Sequence, residues 1–246
     1  MSLEILGCRV DDLDAAAATD RILQFAQTGA KAQVVTLGTE MIVYAQRDAE
    51  YKEVINECAL SLCDTVGLLL AARARGAELR ERVTGVELIE DVCAAAARLR
   101  LRVFLVGGAS GVAASAAEIL RKRHPGLQIA GEHHGYFDDS QSAEIARQIA
   151  ATGAAILFAG LGFPRQEFWL SRYLAQSGCG VGIGVGGSFD VISGRVKRAP
   201  DVWQHFGLEW LYRLVSEPHR WRRQLALPQF VWLVLADSLR RRASST

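Results

Sequence analysis

Short runs of β-branched and apolar residues at 33–36, 60–63, 102–106, 128–131, 155–159 and 181–185 alternate with longer stretches of helical periodicity. The intervening pattern predicts helices at 15–27, 40–58, 66–75, 85–98, 111–123, 142–151 and 164–176. Strands separated by whole helices do not close hairpins. They pair in parallel through right-handed crossovers, and the resulting sheet needs helices on both faces. The chain is therefore expected to be α/β, with a Rossmann-like, mostly parallel sheet. Thr84 with Glu87 reads as a capping box, and Pro164 as the first residue of a helix. At 246 residues and 50% hydrophobic composition the chain can bury a full core. The alternation ends near Gly194, which divides the chain into an α/β domain at 1–194 and a helical appendage at 195–246.

The appendage has a charge of its own. From Arg195 onward ten Lys or Arg accompany four Asp or Glu, while the preceding part holds eighteen basic and twenty-three acidic residues. The formal net charge of +1 thus conceals two regions of opposite sign. Arg213, Arg220, Arg222 and Arg223 are interleaved with Trp210, Tyr212 and Trp221, and an apolar stretch at 229–239 precedes Arg240, Arg241 and Arg242. Three settings suit that pattern: a helix packed on the core with its charges in water, a nucleic-acid surface with stacking aromatics, or a membrane interface. Against anionic lipid each basic residue contributes ~1 kcal/mol, enough in sum for reversible docking. No run approaches the ~20 apolar residues of a membrane span, and the N-terminus lacks the pattern of a signal peptide. The expected location is the cytoplasm, with peripheral membrane contact at most. The five cysteines form no C-x-x-C pair, which leaves a disulfide framework or zinc site without support.

The unusual residues follow the strands: Thr36 to Glu40, Asp64 to Gly67, Gly107 to Gly111, His133 to Tyr136, Gly160 to Glu167 and Gly186 to Asp190. In open α/β sheets ligands bind outside the carboxyl ends of the strands, so these loops should line one pocket, with a nucleotide or phosphorylated ligand as the leading class. The glycine-rich turn at 107–111 ends a strand and opens a helix, where free amides suit a diphosphate. Gly182-x-Gly184-x-x-Gly187 spells the dinucleotide fingerprint but lies within an apolar strand, which argues against NAD. Asp64 is placed either to cap the following helix or to act as a general base, and position alone leaves both roles open. Asp12 and Asp14 resemble a metal-holding D-x-D but precede a helix, where capping explains them better. His133 and His134 are adjacent and no further ligand completes a site, so no metal is expected. Without a metal, a leaving diphosphate needs arginines and amides, which points to Arg82 and the tail.

Taken in order, Thr36 and Glu40 in T-x-x-x-E spacing, Asp64 with Val66 and Gly67, Glu81-Arg82-Val83-Thr84-Gly85, His134-Gly135-Tyr136-Phe137, Gly162-Phe163-Pro164-Arg165-Gln166-Glu167, Gly187-Ser188-Phe189-Asp190, Gly194-Arg195-Val196-Lys197-Arg198-Ala199-Pro200 and Gly207-Leu208-Glu209-Trp210-Leu211-Tyr212-Arg213 with Glu217-Pro218 closely resemble the WecG/TagA/CpsF glycosyltransferase family over nearly the whole chain. The resemblance implies an inverting, metal-independent transferase. Such an enzyme moves an N-acetylmannosamine-type sugar from a UDP donor to an undecaprenyl-diphosphate-linked sugar at the inner face of the cell membrane, for surface polysaccharide. It implies Asp64 as base, with Thr36, Arg82 and Gln166 in the catalytic pocket, and Gly107, Gly108, Tyr136 and Asp190 toward the UDP part. Arg213, Arg220 and Arg223 match arginines that close over the pocket while the appendage meets an anionic membrane. No cofactor and no nucleic acid are implied; self-association is. The pattern departs from the family at two places: Gly38 replaces the Asn of T-x-N-x-E, and Thr65 replaces the first Gly of D-G-V-G.

Overall fold

Residues whose side chains vanish completely from solvent mark the strands: Val34, Val35 and Leu37; Leu62; Val103, Leu105 and Val106; Ile156, Leu157 and Phe158; Val181 and Ile183. A computed structural model describes residues 2–197, 200, 203 and 226–244. Its sheet has eight strands: β1 (Ser2–Ile5), β2 (Cys8–Asp11), β3 (Ala32–Leu37), β4 (Leu60–Cys63), β5 (Arg102–Gly107), β6 (Gln128–His133), β7 (Ile156–Gly160) and β8 (Val181–Gly184). They lie in the order β1-β2-β4-β3-β8-β7-β5-β6. All pairings are parallel except the antiparallel β1–β2 edge. The expected α/β architecture with a mostly parallel sheet is the one observed.

Helices α1 (Ala15–Thr28), α5 (Gly85–Leu99), α6 (Val112–Arg123) and α9 (Ser188–Ile192) contribute to one core cluster with β3, β5 and β8. Helices α2 (Thr39–Ala45), α3 (Ala49–Glu57), α4 (Val66–Ala74), α7 (Asp139–Thr152) and α8 (Arg165–Tyr173) supply the clusters on the opposite side of the sheet. From β5 the chain crosses through α6 to β6, and from β7 it crosses through α8 to β8, on opposite faces and in opposite directions along the sheet. The adjacent β5 and β7 therefore form a switch point, where an open α/β sheet leaves a crevice.

Three expectations are corrected. The predicted helix at 40–58 is two helices, because Asp48 caps α3: its Oδ1 accepts from the Tyr51 N–H at 2.9 Å. The β1–β2 hairpin lay outside the expected strands. Its two-residue turn, Leu6-Gly7, has φ 52° and 77°, the left-handed pair that a tight hairpin demands, with a leucine where sequence rules look for Asn or Asp. Pro164 is the N-cap of α8 and so precedes the first helical residue. The cap at Thr84 is present: its Oγ accepts from the Glu87 N–H at 3.3 Å and donates to the Glu87 carboxylate at 2.8 Å.

A last helix, α10 (Ala226–Ser244), packs on α2 and α4. Phe230 and Val234, 2% and 5% exposed, enter the same core cluster as Met41, Ile42 and Leu68, whereas Trp232 is 65% exposed. Phe230→Ala should destabilise the fold by about 3 kcal/mol, the cost of an emptied aromatic site. Trp232→Ala should change it by less than about 1 kcal/mol. Urea unfolding of the two variants checks this; equal losses would mean that α10 is not anchored as described.

Candidate active site

Asp64 leaves β4 directly into the rim formed by the carboxyl ends of the strands. Its N–H donates to the Leu37 carbonyl at 3.0 Å, and its Oδ1 accepts from the N–H of Gly85, the first residue of α5, at 3.3 Å. A helix N-terminus thus orients the carboxylate from outside its own loop. The segment before α5 is tied to β4 by the Val83 N–H, which donates to the Cys63 carbonyl at 2.7 Å, and Arg82 is carried on that segment. Both charges are felt by the Cys63 thiol. Burial first and the Asp64 charge second push it up to about 12, against the lowering effect of Arg82. Arg82 also lines a cleft of about 590 Å³ with Val86, Glu87, Asp91, Val191 and Ile192.

Thr36 and Gln166 meet at β8. The buried Thr36 hydroxyl donates to the Gly184 carbonyl at 2.9 Å. Gln166, only 2% exposed, accepts the Gly186 N–H on Oε1 at 3.0 Å and donates from Nε2 to Glu167 Oε1 at 2.7 Å. Glu167 is 1% exposed and accepts from the Tyr51 hydroxyl on Oε2 at 3.3 Å. A Cβ on Gly184 would lie 3.0 Å from Gln166 Nε2 and 3.2 Å from Glu167 Oε1, so glycine there makes room for the pair. Gly182 serves α8 in the same way, since a Cβ would lie 2.8 Å from Leu170. Two glycines of the dinucleotide-like spacing thus serve packing within β8, whereas the third, Gly187, lies beyond the strand as the N-cap of α9, so the expectation that the whole spacing lies within a strand is corrected. Sequence reasoning put Glu167 in a loop lining the pocket but gave it no role. Its signal was the Gln-Glu pair in the first turn of α8, which reads equally well as acidic helix-start chemistry.

The switch point is lined with main chain. Gly108 donates its N–H to the Gly160 carbonyl at 3.1 Å, and Gly135 donates to the Gly108 carbonyl at 2.7 Å. A Cβ on Gly107 would lie 2.4 Å from the Gly160 carbonyl oxygen, so no other residue fits the strand crossing. The Gly108 amide is thus bound within the rim, and the left-handed Gly111 opens α6 beside it. Tyr136 stands 77% exposed at the edge of this crevice. Arg165 ties the neighbouring turn down through the carbonyls of Gly135, at 2.6 Å, and Phe137. The His133 Nδ1 lies 2.7 Å from the His134 carbonyl, which can only accept, so that nitrogen carries the proton. Asp190 sits on α9 beside Gly187. Asp14 caps α1 and Asp12 accepts from the Arg80 N–H, so D-x-D is used structurally. Among the described residues no group of three His, Cys, Asp or Glu side chains is arranged to hold a metal. Arg213, Arg220 and Arg223 lie outside the described residues.

The two departures from the family pattern face each other. A Cβ on Gly38 would meet Thr65 Cγ2 at 3.5 Å, an ordinary contact, and Gly38 has φ −106°, which any residue adopts. The threonine methyl therefore occupies space beside the position where a side chain is missing.

An open α/β sheet with a carboxylate, an arginine and glycine-lined turns at the carboxyl ends of its strands belongs to the doubly wound class, which binds ligands at that rim. The profile of the glycosyl transferase WecG/TagA/CpsF family matches residues 3–244. An N-acetylglucosaminyldiphosphoundecaprenol N-acetyl-beta-D-mannosaminyltransferase of Bacillus spizizenii (strain W23) is 38% identical over 202 residues, 82% of this chain and 78% of the relative. The protein of the same name from Bacillus subtilis (strain 168) is 33% identical over 206 residues, 84% of this chain and 80% of the relative. The chain belongs to the WecG/TagA/CpsF family and is a glycosyltransferase.

Burial raises the Glu167 carboxyl from 4.5 to about 7, against the hydrogen bonds from Gln166 and Tyr51 that favour its ionised form. Between those values the folded chain holds a proton that the unfolded chain has lost, so this group reduces stability as pH rises through the window. The full effect is on the order of 3 kcal/mol. Glu167→Gln removes it. In urea unfolding the variant should therefore gain on the wild type between pH 5 and pH 8; parallel pH dependences would contradict the burial of an ionisable group here.

Proposed function

We propose that this glycosyltransferase moves an N-acetylmannosamine-type sugar from a UDP donor to an undecaprenyl-diphosphate-linked sugar, with inversion at the anomeric carbon and without a metal, for surface polysaccharide. The observation that carries the reading is Asp64, held at the rim of the sheet by the N-terminus of α5, with Arg82 on the tethered segment beside it. The names of the two relatives supply the substrate class. Asp64 takes the proton of the acceptor hydroxyl as that oxygen bonds to the anomeric carbon. The bond from this carbon to the diphosphate oxygen breaks, and UDP leaves with the electron pair. Arg82 and the N-terminus of α6, after the Gly107-Gly108 turn, offset the charge that develops on the diphosphate, with Tyr136 and Asp190 toward the nucleoside. Arg213, Arg220 and Arg223 add to that charge balance from the appendage.

Asp64→Asn should lower turnover by about 100-fold or more, the usual loss of a general base. UDP affinity should stay within about threefold, since the substitution is isosteric and Asp64 acts on the acceptor hydroxyl and not on the diphosphate. Released UDP, measured with UDP-N-acetylmannosamine and a short-chain lipid-diphosphate N-acetylglucosamine acceptor, checks the first, and calorimetry the second. Full turnover by the variant would remove Asp64 from the mechanism.

The membrane part of the proposal has its own support. Val231, Trp232, Leu235 and Leu239 are 48%, 65%, 57% and 67% exposed on α10, opposite the buried Phe230 and Val234. No described helix is long and apolar enough to cross a membrane. An apolar helical stripe next to a basic segment suits an anionic lipid surface. Trp232→Glu with Leu235→Glu should weaken binding to anionic liposomes by about tenfold or more while the unfolding midpoint holds. Unchanged sedimentation with the liposomes would separate α10 from the membrane.

A further inference from the structure

A carboxamide has two ends of nearly equal size, so packing does not choose its orientation; its partners do. For Gln166 the partners are the Gly186 N–H, 3.0 Å from Oε1, and the Glu167 carboxyl, 2.7 Å from Nε2. We propose that Glu167 is a positioning residue: its ionised carboxyl, which only accepts hydrogen bonds, locks the Gln166 carboxamide and through it the Gly186 turn at the mouth of the active site. The proposal rests on the placement of that site at the strand ends.

The turn transmits the lock to Asp64. Gly186 adopts φ +54°, and its carbonyl oxygen lies 2.9 Å from where a Cβ on Gly160 would stand. The Ser188 hydroxyl donates to the Val185 carbonyl at 2.6 Å, closing the turn. A Cβ on Gly85 would come within 2.8 Å of Ser188 Oγ and 3.2 Å of the Val185 carbonyl, so the turn abuts the residue whose N–H holds the Asp64 carboxylate. A path of hydrogen bonds, one peptide bond and close approaches therefore runs from Glu167 through Gln166, Gly186, its chain neighbour Val185 with Ser188, and Gly85 to Asp64. When Glu167 is protonated, its O–H can donate to the Gln166 oxygen. The flipped carboxamide then turns its NH2 toward the Gly186 N–H, and the turn loses its acceptor.

The neighbours of Glu167 are consistent with an acceptor-only role. The Tyr51 hydroxyl on α3 donates to Oε2, the Cys58 thiol at the end of α3 and Glu40 on α2 act on it or are acted on by it, and Gln33 on β3 donates to its main-chain carbonyl at 3.1 Å. Burial and the Glu167 charge both raise the Tyr51 hydroxyl, which stays a neutral donor. With the Glu167 carboxyl raised to about 7, the lock opens within the range of ordinary assays.

The test compares the full-length wild type, Glu167→Gln, Glu167→Met and Tyr51→Phe. It reads UDP release from the donor and lipid-diphosphate acceptor between pH 6 and pH 9, together with hydrogen-exchange protection of the Gly186 amide. Wild-type kcat should fall about tenfold from pH 8 to pH 6 with one proton uptake. Glu167→Gln should abolish that fall, lower kcat at pH 8 several-fold with the donor KM within about threefold, and reduce Gly186 protection to the wild-type value at pH 6. Glu167→Met, which offers no strong acceptor, should reduce protection at every pH. Tyr51→Phe removes a bond that favours the ionised form and should move the acid limb to higher pH. The proposal is overturned if Glu167→Gln keeps the acid limb, or if its Gly186 protection at pH 8 equals that of the wild type. A wild type that releases no UDP while Gly186 protection still follows Glu167 would instead overturn the functional reading and leave the lock standing.

Discussion

A carboxyl group taken almost wholly out of water, between β8 and α3, governs the geometry at the rim of this sheet. Burying such a group is unfavourable unless its oxygens are hydrogen-bonded, and here Gln166 and Tyr51 each supply a donor. Room for it comes from main chain: Gly182 and Gly184 carry no side chains, so α8 lies close on β8 and its first turn can send two polar residues inward. β8 is also where the Thr36 hydroxyl is anchored, which joins the β3 end of the site to the β8 end through a single strand.

The rim therefore has two parts held in different ways. At β5, β7 and the loop after β6, main chain touches main chain through Gly107, Gly108, Gly135 and Gly160, so that end of the rim is built of backbone. At β4, the charged residues Asp64 and Arg82 are fixed by the segment that enters α5. The helix α10 joins the second part. It packs on α2 and α4, which begin three and two residues after Thr36 and Asp64, and Phe230 approaches the position of Gly67 at the start of α4. The appendage is thus connected mechanically to the loops that carry the proposed chemistry.

Much of this could be read from the sequence because strand and helix periods differ, and the central strands are buried on both faces. The six apolar runs fall on β3 to β8, and Thr84 and Asp14 cap helices as their positions suggested, whereas Asp12 accepts from the Arg80 N–H instead of capping. The missed features have local causes. The β1–β2 hairpin has strands of four residues and turns on Leu6 at φ 52°, against the usual preference. Asp48 breaks a continuous helical period because a cap outweighs periodicity. The burial of Glu167 was not foreseen because a charged residue in the first turn of a helix is ordinarily solvated, and only the glycines of the neighbouring strand, seen in three dimensions, show that this one is not. The proximity of Gly38 to Thr65 is likewise a tertiary fact: no rule of spacing links the two positions.

The most direct measurement of the central claim is a crystal structure of the protein with UDP. The diphosphate is predicted to lie over the carboxyl ends of β5, β7 and β8, with its terminal phosphate on the side of Asp64 and Arg82. UDP seated at the opposite end of the strands, or against the β1–β2 edge with Asp64 remote from the phosphates, would contradict the account.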